Sequence, residues 1–394
     1  MALATDERIE SAPRVIDTPI ISADSHITEP GWCYVDNIDP AFRDRAPFLT
    51  DEAPDGAMFH VPGMSAKIHL GLHSAAGKES NALAMKGVPF SELHRAGWDP
   101  AYRVEAQKRD AVDGEILYPS VGMILCNHSD LDLQKAMFDA YNRWISEYCA
   151  HDPSRLYGLG QTPLRSVEEG IADLEAMAAA GLRGVMLPLT PGTAAGDNGG
   201  PDYDSPEWDP FWRACIGLSL PPSFHILTGK SYRARGPKLN NFLSIIRGNQ
   251  DLIGTFVFGG VFDRVPDLRI VCVEADAGWM PHYAYRMDHA YTRHRNWMGG
   301  GGPELQRKPS EYFADHIGLT FQDDWSAFRM AEAGLIDIKS LMWANDFPHS
   351  DSTWPYSQGM LATQTADIAP DDRARVLGGN VIELYNLHDV LPAA

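Results

Sequence analysis

Trp343-Ala344-Asn345-Asp346-Phe347-Pro348-His349-Ser350-Asp351-Ser352-Thr353-Trp354-Pro355 begins as the end of an apolar strand and passes straight into acids, an imidazole and hydroxyls. Barrel enzymes place polar chemistry in this way, where a buried strand emerges at its C-terminal end. Ile20-Ile21-Ser22-Ala23-Asp24-Ser25-His26 repeats the pattern near the other end of the chain. Residues two apart in a strand share a face. Asp24 and His26 therefore offer a carboxylate and an imidazole to one point, as adjacent metal ligands must. The two segments make a metal-dependent enzyme the leading reading.

Between them, apolar strand-like runs alternate with amphipathic helical ones, which is the pattern of repeated βα units around a parallel sheet. The strands are expected at 19–23, 114–118, 155–160, 183–189, 220–226, 253–257, 269–274, 316–321 and 340–344. Leu133 to Asp152 is periodic and ends before Pro153, while Ser166 to Ala180 stops at Gly181, a residue favoured just past a helix C-terminus. The spacing predicts an α/β fold, a (β/α)8 TIM barrel, with one strand too many. Residues 1–394 are read as a single domain. Residues 46–100 break the rhythm with Gly, Pro, His and Met, and are read as an insertion after the first strand, near the barrel mouth. The glycines and prolines of 191–201 predict a mobile surface loop.

With 394 residues and 44% apolar content, the chain can bury a large core. Its 33 basic and 53 acidic residues give a formal charge of -20, which argues against nucleic acid or an anionic membrane as a partner. Cys33, Cys126, Cys149, Cys215 and Cys272 lack C-x-x-C spacing, so neither a thiolate zinc site nor a disulfide framework is indicated. The N-terminus carries Asp6, Glu7, Arg8 and Glu10 rather than an apolar signal core, and no run approaches a membrane span. A cytoplasmic location is the expectation.

Four constellations carry the chemistry. Asp24 and His26 end the first strand. His225 ends the apolar run Pro221-Pro222-Ser223-Phe224, where a satisfied core histidine is the alternative. Glu274 follows Arg269-Ile270-Val271-Cys272-Val273 and suits a ligand, a proton shuttle or a partner fixing a histidine, with helix capping as the alternative. Asp346 ends the last strand, where an acid beside a metal can orient water and move protons, or simply cap a turn.

These residues resemble the amidohydrolase-related enzymes of the aminocarboxymuconate-semialdehyde decarboxylase group. The resemblance runs in order through Ala23-Asp24-Ser25-His26-Ile27-Thr28-Glu29-Pro30, Leu156-Tyr157-Gly158-Leu159-Gly160-Gln161-Thr162-Pro163-Leu164, Ser223-Phe224-His225-Ile226 and Glu274. It continues through Gly278-Trp279-Met280-Pro281, Lys308-Pro309-Ser310-Glu311-Tyr312-Phe313, Asp346-Phe347-Pro348-His349 and Gly379-Asn380. It implies a barrel holding one divalent ion, zinc or manganese, at Asp24, His26, His225 and Asp346, with Asp346 as the proton-handling acid. The group's usual opening is His-x-His. Asp24 replaces its first histidine, as in some aromatic-acid decarboxylases, and the more oxygen-rich set leans toward a hard ion such as manganese. Glu274 stands where other members carry a histidine, and is read as catalytic together with Asp346 and His225. No lysine ends Gly184-Val185-Met186-Leu187, so one ion is expected rather than two.

The implied activity is decarboxylation of a small aromatic or unsaturated carboxylic acid. The alternatives are metal-dependent hydrolysis of an amide, ester or C–C bond, and a catalytically idle metal-binding scaffold. His349 would contact the substrate, and Phe321, Trp325 and Trp354 would wall in its ring. A homodimer is expected.

Overall fold

The computed structural model describes residues 13–195, 198–229, 234–299 and 302–391. The charged N-terminal stretch and residues 196–197 of the 191–201 loop lie outside them.

Short, largely apolar segments build eight parallel strands: β1 (Ile21–His26), β5 (Gly114–Tyr118), β6 (Leu156–Gln161), β7 (Gly184–Met186), β8 (Pro222–His225), β9 (Ile270–Val273), β10 (Ile317–Phe321) and β11 (Leu341–Trp343). They pair in sequence order, β1-β5-β6-β7-β8-β9-β10-β11. The residues after β11 close the circle on β1, through Asp346 N–H to Asp24 O at 3.0 Å and His26 N–H to Phe347 O at 2.8 Å. The fold is a (β/α)8 barrel. Every barrel strand is buried along its whole length, as expected of strands covered by helices on one side and filled by side chains on the other.

Strand alternation sorts the core into two layers. Ile116, Tyr118, Leu159, Met186, Val271, Val273 and Met342 fill the barrel interior. Leu117, Phe224, Cys272 and Phe321 face outward and pack against the helices. Helix Leu131–Cys149 presents Leu133, Met137, Tyr141 and Trp144 to that outer layer, and Asp130 caps its start by accepting from Leu133 N–H at 3.0 Å. Helix Val167–Ala179 is capped by Ser166 and ends one residue before Ala180.

The strand expected at 253–257 is instead part of helix Arg247–Phe258, and this removes the extra strand. Its apolar run was ambiguous in sequence. The structure buries Asn249, Leu252, Ile253, Phe256 and Val257, which is helical spacing.

Residues 46–100 form a small antiparallel sheet, β2 (Phe48–Glu52), β3 (Gly56–His60) and β4 (Ile68–His69), followed by short 3-10 turns. The loop after β4 is stitched to the segment after β11. Ala75 N–H and Ala76 N–H donate to Pro348 O at 2.8 and 3.0 Å, and Ser350 N–H donates to Leu72 O at 2.9 Å. Among the described residues, no helix is long and apolar enough to cross a membrane.

Candidate metal centre

A bulge in β1 sets the ligands. Between Ser22 and Ser25 the strand advances three residues while β5 advances two, from Glu115 to Leu117. Ile21 and Ala23 pack in the barrel interior, while Ser22 and Ser25 bond outward to Glu115 and Asn345. Without the extra residue, Asp24 and His26 could not share the interior face with Ile21 and Ala23. Bulges beside active sites commonly re-aim side chains in this way.

Four strand ends then converge. His26 ends β1, His225 ends β8, Glu274 follows β9 and Asp346 lies three residues past β11. Asp24, His26, His225 and Glu274 present ligand atoms all within 4.8 Å of one another, and so do His26, Glu274, Asp346 and His349. Glu274 and Asp346 hold left-handed backbone angles, φ 54° and 52°, unusual for residues with a β-carbon. Such strain collects at functional sites, where surrounding structure holds it in place.

Hydrogen bonds on the far side of each ring fix the tautomers. His26 Nδ1–H donates to Pro119 O at 3.0 Å and His225 Nδ1–H donates to Ile226 O at 2.9 Å. Both Nε2 atoms consequently turn into the cluster, 3.1 Å apart. Two lone pairs at that distance repel unless positive charge lies between them. Asp24 Oδ1 stands 3.4 Å from His26 Nε2 and 3.7 Å from His225 Nε2. Asp346 Oδ1 stands 3.5 Å from His26 Nε2, and Glu274 Oε2 lies 3.3 Å from His225 Nε2. Both oxygens of Asp24 and of Asp346 are buried without a hydrogen-bond partner.

Buried, unpartnered carboxylate oxygens around paired imidazole nitrogens are the donor set of a divalent cation, and here backbone carbonyls orient the histidines as metal ligands require. The residues fit one ion. Their mixture of oxygen and nitrogen donors suits zinc or manganese.

The titration behaviour states the same demand. Burial opposes charge on His225, yet Asp24 and Glu274 raise it above the ordinary imidazole range. Burial would also raise Asp24, but His225 and His26 hold it below the usual carboxylate range. Asp346 is pushed well above that range by burial and by Asp24, and Glu274 by burial and by Asp346. Burial, with His349 nearby, lowers His26 to about 3.

His349 completes a proton-holding chain. Ser120 Oγ–H donates to Ile27 O at 2.6 Å, so its oxygen is left to accept from His349 Nε2–H at 2.8 Å. The Nδ1 lone pair of His349 then faces Asp346 Oδ1 at 3.2 Å. Burial lowers the imidazole to about 3 and, with Asp24, raises the Asp346 carboxyl well above the usual carboxylate range. The His349 ring stacks on His26, with centroids 3.8 Å apart.

The structure gathers Asp24, His26, His225, Glu274, Asp346 and His349 into two overlapping sets that share His26 and Glu274. It does not bring the expected aromatic wall there. Phe321 points outward and packs against Phe328, because its neighbour Thr320 takes the inward position and accepts from Glu274 N–H at 2.8 Å. Trp325 opens helix Trp325–Glu332 and is 64% exposed. Trp354 is wedged behind the site against Phe347 and His94, with its indole N–H on Ala106 O.

Sequence reasoning missed Ser120, although Pro119-Ser120 follows β5 and strand ends were the signal in use. It also missed His73, from the loop after β4. The His73 ring lies 5.6 Å from that of His349, and its Nδ1 is buried without a partner.

The chain shares 26% identity over 317 residues with the 2-amino-3-carboxymuconate-6-semialdehyde decarboxylase of Dictyostelium discoideum, covering 77% of this chain and 81% of that protein. Solved structures with the same fold include an amidohydrolase from Mycobacterium avium subsp. paratuberculosis K-10 (TM-score 0.73, 16% identity, 94% of this chain and 100% of that one). A manganese-bound 5-carboxyvanillate decarboxylase from Novosphingobium aromaticivorans also matches (TM-score 0.67, 16% identity, 94% and 97% covered). The amidohydrolase family model matches residues 58–387, most of the chain, and the barrel with its cluster at the C-terminal mouth agrees with that match. The chain belongs to the amidohydrolase family.

Proposed function

We propose that the protein is a metal-dependent carboxy-lyase that removes carbon dioxide from a small aromatic or unsaturated carboxylic acid. The observation that carries this reading is the buried cluster, in which the Nε2 atoms of His26 and His225 lie beside the unpartnered carboxyl groups of Asp24 and Asp346. The decarboxylase relative at 26% identity supports the reaction class.

Asp24, His26 and His225 would hold the ion with Glu274 in reach of the same point, and Asp346, 3.5 Å from His26 Nε2, would stand at its edge as the proton-handling acid. When bound, a divalent ion supplies Lewis acidity, neutralising the substrate carboxylate and the negative charge that develops as carbon dioxide leaves. The chain's own residues manage the proton. As the C–C bond breaks, its electron pair stays on the substrate carbon, and the Asp346 carboxyl delivers its proton there. His349, fixed through Ser120 to Ile27 O, holds that carboxyl in place by its Nδ1 lone pair. Water restores the proton before the next turnover. Burial of Asp346 and His349 keeps bulk water from the departing carboxylate.

Residues 46–100 belong to this reading as a cover over the barrel mouth, supported by the bonds that tie 72–76 to 348–350. A cytoplasmic location is supported by five cysteines without a disulfide. A homodimer is supported by the exposed side chains of Leu239, Phe242 and Leu243 on one short segment.

The test is carbon dioxide release from a panel of hydroxylated benzoic acids and unsaturated acids by manganese- and zinc-loaded protein, with Asp346→Asn alongside. Release by the wild type, reduced roughly 10²–10⁴-fold in the variant, is the expected result. Cleavage of amides, esters or ketones with incorporation of labelled water, and no carbon dioxide from any acid, would overturn it in favour of hydrolysis.

A further inference from the structure

The helix Pro100–Arg109 buries charge where a barrel helix ordinarily buries an apolar stripe. Arg103, Gln107 and Asp110 fall at i, i+4 and i+7, on one face, and none is more than 1% exposed.

Arg103 commits all three guanidinium nitrogens. Nε donates to Glu115 Oε2 at 2.5 Å, Nη1 to His26 O at 2.5 Å and Nη2 to Phe347 O at 3.0 Å. The Phe347 ring lies 4.8 Å from the guanidinium carbon. Glu115 faces outward from β5 and is held in turn by Gln107 Nε2 at 2.7 Å, Ser25 Oγ at 3.3 Å and Asn345 Nδ2 at 3.4 Å.

The two carbonyls that Arg103 grips are significant. One belongs to His26, the other to the residue after Asp346, and Phe347 O already accepts from His26 N–H. The guanidinium thus lies across the seam where the barrel closes, between the strand carrying Asp24 and His26 and the segment carrying Asp346. A planar fork with five donors can hold two carbonyls and a carboxylate at once, whereas a single ammonium on a flexible stem cannot hold the same three directions.

We infer that Arg103, with Glu115 as its counter-charge, is a positioning residue of the metal centre, setting the spacing between the β1 ligands and Asp346 through the carbonyls of His26 and Phe347. The inference needs a metal centre but not decarboxylation, so it stands or falls separately from the reaction.

A pair that merely stabilises the fold would change the melting temperature and leave metal affinity alone. The test therefore pairs Arg103→Met with Glu115→Gln, which leaves no uncompensated buried charge. Manganese binding to the chelator-stripped full chain is measured by calorimetry, and folding by circular dichroism. A folded double variant whose manganese Kd is weakened roughly 10–100-fold is the expected result, the range typical of losing a partner that orients ligands. A folded double variant with Kd within twofold of wild type would overturn the inference. If the double variant does not fold, Arg103→Lys decides, because it keeps the charge beside Glu115 and loses the simultaneous grip on both carbonyls. The same weakening is expected there, and an unchanged Kd overturns the inference equally.

Discussion

Glu29 is a buried acid three residues beyond His26, at the start of the helix Val121–Leu125. It accepts from the backbone N–H groups of Ser120 at 3.3 Å, Val121 at 2.9 Å and Gly122 at 2.9 Å. Burial outweighs those donors and pushes it up to about 7. An unfolded glutamate titrates near 4.5, so between about 4.5 and 7 the folded chain holds a proton that the unfolded chain has released. Stability from this group is therefore fully present below that window and falls as pH rises through it, by roughly 3 kcal/mol at 1.36 kcal/mol per pKa unit. Glu29→Gln should flatten this slope: between pH 5 and 8, urea melts of the wild type should lose more stability than those of the variant. Equal slopes would mean that the three N–H groups keep Glu29 ionised throughout. At this scale the sequence was legible wherever a polar residue ended an apolar strand, which is why Asp24, His26, His225, Glu274 and Asp346 stood out. It was opaque for the aromatic candidates, because the face a strand-end ring takes depends on alternation that a single ring does not reveal.

The eight barrel strands were all among the nine runs that spacing suggested, but the bulge in β1 could not be read. Read without Ala23, the segment Ile21-Ser22-Asp24-Ser25-His26 alternates interior and exterior perfectly, so Ala23 is the supernumerary residue that the bulge absorbs. Ala23 is fully buried among the interior side chains Ile21, Ile116 and Tyr118. A larger side chain there must push the strand or its neighbours, and overpacking a tight core costs typically 1–3 kcal/mol. Ala23→Leu should therefore destabilise the metal-free protein by about that amount. It should also displace Asp24 and weaken manganese binding, because the bulge that sets the ligand lies at the substituted residue. Thermal melts and metal titration check the two effects, and a variant with lowered stability but unaltered metal affinity would show that Asp24 is held independently of the bulge. The helix Arg247–Phe258 shows the converse limit: the short run Ile253-Gly254-Thr255-Phe256-Val257 suits either element until packing chooses, and here Leu252, Ile253, Phe256 and Val257 bury one helical side.

For the molecule as a whole, alternation of strands and helices announced the barrel, whereas the three-stranded sheet within 46–100 was hidden because β2 is largely exposed, β4 has only two residues, and only β3 is buried along most of its length. The closure of the barrel is where fold and site become one problem. The seam between β1 and the segment after β11 is held by backbone hydrogen bonds from His26 and Asp346, the residues whose side chains enter the cluster. Asp24, Asp346 and Glu274 crowd acidic oxygens into a buried volume, and burial with mutual repulsion raises Asp346 and Glu274. A divalent ion bound there relieves that repulsion in the folded chain and has no equivalent cluster to bind in the unfolded one, so binding must add to stability by mass action. At a free ion concentration one hundred times Kd, the gain is about 2.7 kcal/mol. Manganese or zinc should accordingly raise the melting temperature of chelator-stripped protein by a few degrees, increasingly with ion concentration, and chelation should reverse it. Because protons compete with the ion for the clustered acidic and imidazole groups, the shift should shrink as pH falls. Calorimetric scans with and without ion at pH 8 and pH 6 check both statements, and a melting temperature indifferent to either ion would remove the metal centre from the account of this seam.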